Sequence, residues 1–370
     1  MMCRMPRLVF GFMTGTSLDG LDAAAVRLNG QGHALRLLDI PAAMSLDFPE
    51  DLVESLRALC DGEALDAHRI ADAARALGEL HACAARELIT SVGRPDFACA
   101  HGQTVIHRPP DSWQLLNPWP LAREAGCPVV YDLRGADLSA GGEGAPITPI
   151  ADWVLFRAAD ESRAIVNLGG FCNVTHLPAH ADHEAVRGMD VCACNHVLNA
   201  AARIALDQPF DLDGAAALRG TAVPTAVEAL TARLVEQGRA GRSLGSGDEL
   251  RDELRTLRGG HSPEDFLSSV VSAVAGAIAN AVASLSPGRV LLAGGSARNA
   301  ALVRALQERL GPVPVAPTDS LGVPVAHRES VAFAVLGALC ADRIAITIPT
   351  ITGAAAPAPI SGAWINTRPA

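Results

Sequence analysis

Two stretches of this chain share one uncommon pattern, and that pattern limits what the chain can fold into. "LVFGFMTGTSLDGLDAAAVRL" near the start and "AIVNLGGFCNVTHL" in the middle each set a polar, glycine-containing turn between two apolar, strand-like arms. An ordinary tight hairpin needs two turn residues. The first stretch instead spends Thr14, Gly15, Thr16, Ser17 and Gly20 on its turn, with Asp19 and Asp22 closing it. Glycine-rich turns gather backbone N–H groups into a concavity for anions, and the hydroxyls of Thr14, Thr16 and Ser17 add donors. Asp19 would repel a phosphate unless a divalent cation lay between them, which points to magnesium held through water. The plainer alternative is a surface turn built of capping residues. The pattern is neither a Walker A loop, since no Gly-Lys-[Ser/Thr] follows, nor Gly-x-Gly-x-x-Gly.

The second turn supplies Gly169 and Gly170, with Asn167 and Asn173 alongside. A third, "LLAGGSARN", puts Gly294 and Gly295 between a strand and a helix, where a phosphate or a flat ring can approach the backbone closely. Asp190 in "GMDVCACN" suits a general base at a strand end, and equally a helix N-cap. In "HGQTVIH", His101 and Gln103 have the chemistry to bind sugar hydroxyls, or simply to cap a strand.

The periodicity predicts strands at Leu8–Met13, Ala23–Leu28 and Ala34–Leu38, then helices at about Glu50–Cys60 and Ala67–Val92. "DFACAHG" and "PVVYD" read as buried strands running into polar loops. A second cycle follows: the strand–turn–strand at Ala164–Leu177, a helix at about His196–Leu206, the strand "RVLLAGG" and a helix at about Ala300–Leu310. Strands followed by helix–strand–helix give an α/β layer on a mixed sheet. With 370 residues, two domains are expected: residues 1–135, completed by 338–370, and residues 136–337.

Composition excludes other classes. The formal net charge of −10, with no long basic run, argues against nucleic acid as a partner. Nine cysteines without paired spacing point to a reducing cytoplasm, and Cys192-x-Cys194 is too close for the familiar zinc spacings. "FLSSVVSAVAGAIANAVASL" is long enough to span a bilayer. Its alanine-rich content and the "HSPEDF" start, with Ser262 as cap and Pro263 at the first turn, read as a buried core helix rather than a membrane span.

In this order the motifs resemble the anhydro-N-acetylmuramic acid kinases, within the sugar kinase–Hsp70–actin superfamily. The likeness runs through "GFMTGTSLDGLDAA", "HGQTV", "NPWPLAREAGCPVVYDLRGADLSAGGEGAP", "NLGGFCNVTHLP", "DLDGAAA", "GGSARN", "ESVAFAVLGA" and "PTITGA", and spans essentially the whole chain. It implies a two-domain, actin-like (ribonuclease H-like) α/β ATPase fold with an interdomain nucleotide cleft. It also implies an enzyme using ATP and Mg2+, a cytoplasmic setting and a homodimer. The reaction would open the 1,6-anhydro ring of 1,6-anhydro-N-acetylmuramate with water and phosphorylate O6, giving N-acetylmuramate 6-phosphate and ADP during cell-wall sugar recycling. Carried over by position, Gly15 through Leu18, Asp19, Gly20, Leu21 and Asp22 would embrace the ATP phosphates, and Asp190 would be the catalytic base. Glu329 matches an acidic position near the sugar, Arg134 suits a lactyl carboxylate, and Asn195 is retained beside the catalytic turn.

The chain departs from the pattern in two places. Where the family commonly reads Asp-Thr-Gly-Pro-Gly-Asn, this chain has Asp190-Val191-Cys192-Ala193-Cys194-Asn195. A position needing positive φ would make cysteine costly there, by about 1 kcal/mol or more. Between Leu234 and Leu257 only "RSLG" remains as a trace. The alternatives are a kinase of another 1,6-anhydro sugar, such as levoglucosan, and a nucleotide-switched binding protein on the same scaffold. The last would be expected to lose Asp190 or Glu329, and both are present.

Overall fold

The computed structural model describes residues 5–15, 18–180, 182–239, 250–355 and 358–367. "RSLG", at 242–245, lies outside the described residues. The chain forms two compact units: unit one holds residues 1–156, 182–184 and 322–370, and unit two holds 157–181 and 185–321. In chain order, unit one contributes β1 (Arg7–Thr14), β2 (Gly20–Asn29), β3 (Arg36–Asp47), β4 (Phe97–Ala100), β5 (Gln103–Arg108), β6 (Asp111–Leu115) and β7 (Val129–Tyr131). Unit two follows with β8 (Arg163–Leu168), β9 (Phe171–Leu177), β10 (Arg187–Ala193), β11 (Arg289–Ala293) and β12 (Val315–Pro317), and the chain returns to unit one for β13 (Ala363–Ile365).

The two main sheets repeat one design. Unit one is ordered β13-β7-β4-β1-β2-β3 and unit two β10-β9-β8-β11-β12. Each has an antiparallel meander of three strands, with two more strands added parallel to the first strand of the meander, and in unit one β13 closes the edge antiparallel to β7. Parallel neighbours need long crossovers, and helices supply them. In unit one these include Glu50–Cys60 and Ala67–Val92, and in unit two Asn195–Leu206 and Pro263–Ala283. Two α/β units of this mixed topology make the actin-like fold expected from the motifs.

Within unit one, β1 is central and buried, and the Arg328–Ala341 helix lies against it. Gly11 makes that approach possible, because a Cβ there would sit 2.0 Å from Ser330 O and 2.5 Å from Ala334 N. Unit two is built around Pro263–Ala283. Ser262 caps that helix by accepting from Asp265 N–H at 3.1 Å, and Pro263, Glu264 and Asp265 occupy its first turn. By length and composition it could cross a membrane, yet 72% of its apolar window is buried. Its apolar residues fill the core that strands β8 to β11 also line.

Two expectations are corrected. The third strand runs Arg36–Asp47, well past Leu38. It is a half-exposed edge strand, where Pro41 is tolerated because no further strand needs its N–H. The unit boundary falls after Phe156 rather than 135, and the chain rejoins unit one at 322 rather than 338. The physical reason is that 136–156 is tied to the late segment. Thr352 Oγ1 donates to the buried Asp137 at 2.8 Å, Glu143 N–H donates to Thr352 O at 2.8 Å, and Asp152 pairs with Arg328.

Candidate active site

The first glycine turn joins β1 to β2, with Thr14 opposite Leu21 in the register. Thr16 and Ser17 lie outside the described residues. Leu18 takes the left-handed conformation at φ 58°, uncommon for a branched side chain, and its N–H reaches Gly15 O at 3.5 Å. The Gln103 amide donates to Gly15 O at 3.1 Å, so this side chain braces the turn. Asp19 is exposed, while its carbonyl accepts from Phe48 N–H at 3.2 Å. Leu21 is core and can offer a ligand only backbone. Asp22 points to the other face of β2, accepts from Ser45 Oγ at 2.5 Å and lies 3.8 Å from His327 Nδ1. Burial raises its carboxyl pKa, and Ser45 and His327 partly offset that rise.

A second group in unit one joins His101, Arg134 and Glu329. His101 follows β4 at 3% exposure, and its ring packs on Phe333 at 4.7 Å between centroids. Arg134 Nε donates to His101 Nε2 at 3.2 Å and its Nη1 to Gly144 O at 2.8 Å. Burial lowers the Arg134 pKa to about 10, opposed by the nearby Glu329 charge. Burial first, and then the Arg134 charge, hold His101 well below the usual histidine range, so it is neutral. Gly144 belongs to "GGEGAP", whose shape is set by Asp137: its carboxylate accepts from Gly144 N–H at 2.8 Å and from Thr352 Oγ1.

In unit two the second and third glycine turns meet at the start of Asn195–Leu206. Asn195 N–H donates to Gly169 O at 3.0 Å, and Cys194 and His196 N–H donate to Gly170 O at 2.9 and 3.3 Å. The Asn195 side chain spans the two turns: its amide donates to Leu168 O at 3.4 Å and its oxygen accepts from Ser296 Oγ. Asn195 therefore stands with the glycine turns of unit two, whereas His101, Gln103 and Arg134 belong to unit one. Gly294 has φ 84°, and a Cβ there would lie 2.7 Å from Leu168 C and 2.8 Å from Asn167 Oδ1.

Asp190 is a strand residue. It pairs with Asn173 across β10 and β9, and Asn173 pairs with Asn167 across β9 and β8. Directly paired residues share a sheet face, so Asp190, Asn173 and Asn167 form one polar row beside the second glycine turn. A bulge follows Asp190. The N-cap alternative is overturned: Cys194 occupies the cap position, with φ −120° and no side-chain cap bond. Neither Cys192 nor Cys194 has positive φ, so the substitutions carry no left-handed strain. Both thiols are buried, and burial pushes Cys194 up to about 12.

Sequence reasoning missed a cavity of about 340 Å³ in unit two, beside Gly295 and Ser296. Apolar walls come from Leu198, Phe210, Leu212, Leu267 and Val270, and polar groups from Asn199, Asp211, Asp213, Arg298 and Asn299. "DLDGAAA" was the available signal. Asp211 caps the next helix by accepting from Ala216 and Ala217 N–H at 2.9 Å, which fixes this wall. Among the described residues no group of three or more His, Cys, Asp or Glu side chains could hold a metal ion.

The family model described as Anhydro-N-acetylmuramic acid kinase matches residues 7–365. The anhydro-N-acetylmuramic acid kinase of Bordetella pertussis is 39% identical over 364 residues, covering 95% of this chain and 94% of that one. That of Salinibacter ruber is 34% identical over 381 residues, covering 96% of each. That of Chromobacterium violaceum is 36% identical over 366 residues, covering 95% of this chain and 98% of the relative.

Proposed function

We propose that this chain, which belongs to the anhydro-N-acetylmuramic acid kinase family, converts ATP, water and 1,6-anhydro-N-acetylmuramate into ADP and N-acetylmuramate 6-phosphate. The observation that carries the catalytic assignment is the polar row Asp190–Asn173–Asn167 beside the glycine turns. A carboxylate in that row can take a proton from water, while the neighbouring amides orient water or substrate without competing for the proton.

O6 cannot accept a phosphoryl group while it bridges to C1. In this reading Asp190 deprotonates a water, the water oxygen bonds to C1, the C1–O6 bond breaks, and O6 attacks the γ-phosphorus with ADP leaving. The turn from Gly15 to Asp22 and the turns at Gly169-Gly170 and Gly294-Gly295 supply backbone donors for the phosphates. The cavity beside Gly295 suits the adenosine: its apolar walls fit a flat base, and its Asp and Asn groups fit a base edge and a ribose. Arg134 and Glu329, with neutral His101, form the sugar side. Two Arg134 nitrogens are already committed to His101 and Gly144, so its role there combines charge with organisation of the "GGEGAP" loop.

The exposed Asp19 carboxylate would hold a magnesium through water. That ion, when bound, neutralises phosphate charge. We further propose a cytoplasmic homodimer acting in cell-wall sugar recycling. The test is ADP release with ATP, magnesium and either 1,6-anhydro-N-acetylmuramate or levoglucosan. Turnover confined to the first sugar supports the reading, and turnover of levoglucosan alone overturns the substrate assignment.

A further inference from the structure

Three consecutive residues at the start of the Arg328–Ala341 helix reach three different elements of unit one. His327 approaches Asp22 on β2. Arg328 pairs with Asp152 in the helix Pro149–Phe156, its Nε donating to Oδ1 at 3.0 Å and its second nitrogen to Oδ2. Glu329 acts electrostatically on Arg134.

The Arg328–Asp152 pair is not explained by stability. Arg328 is 2% exposed and Asp152 0%, and taking two charges out of water costs more than a well-packed apolar pair of similar volume. A cation in the first turn of a helix also opposes the helix dipole. The body of the helix is held by other means. Its close approach to β1 at Gly11 starts at Ser330, one residue beyond Glu329, and Gly337 packs against Cys99 of β4. Arg328 and Glu329 precede both close approaches, and the Arg328–Asp152 pair fastens this end of the helix. Buried ion pairs are best attested as devices that fix register.

We propose that Asp152 and Arg328 are positioning residues for the sugar site: their bidentate pair sets the start of the helix and with it the place of the next residue, Glu329. The proposal rests on the reading of Glu329 and Arg134 as sugar-side groups. It predicts that removing both charges together leaves the fold intact and damages only the sugar step.

The test uses the full chain carrying Asp152→Leu with Arg328→Met. The melting temperature should equal or exceed the parent's and KM for ATP should stay within about twofold, while kcat/KM for the anhydro sugar falls at least about twentyfold. Amide exchange at residues 329–332 should quicken while the second half of the helix is unchanged. Arg328→Lys keeps a charged partner for Asp152 but loses the two-pronged geometry, so it should fold normally and lose sugar kcat/KM by about fivefold. Sugar kcat/KM within about threefold of the parent in both variants, or an equal loss in ATP KM, overturns the proposal. A parent chain inert towards the sugar removes the kinase reading instead. The exchange measurement then still decides the positioning claim, since unchanged exchange at 329–332 refutes it.

Discussion

Arg134 donates from Nε to His101 Nε2 at 3.2 Å, and this one bond fixes the tautomer of the histidine. A guanidinium only donates, so Nε2 is unprotonated and Nδ1 carries the hydrogen. The ring is buried at 3% exposure, so His101 acts by holding the Arg134 guanidinium in place. Arg134→Lys should therefore raise KM for the anhydro sugar by about tenfold or more, because one ammonium cannot serve both His101 and Gly144. KM for ATP should not change. A loss shared equally by both substrates would remove Arg134 from the sugar side.

Asp190→Asn keeps the shape of the polar row and removes the only strong base in it. Both ligands should still bind, and turnover should fall by about a thousandfold or more, since an amide cannot take the proton of water. Single-turnover kinetics with calorimetric binding checks this. Activity within about tenfold of the parent would mean that another group is the base.

Gly294→Ala tests the third glycine turn. At φ 84° an added Cβ meets Leu168 and Asn167, and left-handed strain alone costs about 1 kcal/mol or more. ATP affinity should drop at least about tenfold together with a lower melting temperature. Unchanged ATP affinity would show that the turn does not contact the nucleotide.

Acid should destabilise unit one through its buried histidines. His81 donates from Nδ1 to Leu77 O at 2.7 Å, and burial lowers its pKa from 6.5 to about 4. His101 is also held well below the usual histidine range, by burial and then by Arg134. Both shifts are downward, so this stability is fully present above the unfolded histidine value, near pH 6.5. Below it the unfolded chain binds protons that the folded chain refuses, and stability drains as pH falls through 4. The slope is at most about 1.4 kcal/mol per pH unit for each histidine. Urea unfolding at pH 7.5, 6 and 5 should show the decline, and His81→Phe should make it shallower. Equal slopes in parent and variant would show that His81 is charged in the folded state.

The parts legible in the sequence were those written locally. The β1–β2 and β8–β9 hairpins, the Ser262 cap and the core helix after it all follow from residues within one turn or one strand. Long-range pairings had no such signature. Arg328 and Asp152 are 176 residues apart, and Thr352 and Asp137 are 215 apart. Those contacts decide which unit owns 136–156 and 322–337, so the expected boundaries fell short. Arg328–Ala341 is buried on nearly every side, and a helix without a polar face gives no period to read. Asp190 was ambiguous because an aspartate shortly before a helix fits a cap as well as a base, and only the strand register separates them.

The central claim is that water attacks C1 and that O6, once released, takes the phosphoryl group. Turnover of 1,6-anhydro-N-acetylmuramate with ATP in ¹⁸O-enriched water tests it directly, read by mass spectrometry of the sugar and phosphate fragments before the anomeric oxygen exchanges. The account predicts one ADP per sugar phosphate formed, with ¹⁸O at C1 and none in the transferred phosphate. Label in released inorganic phosphate, or a sugar phosphate without label at C1, would contradict it.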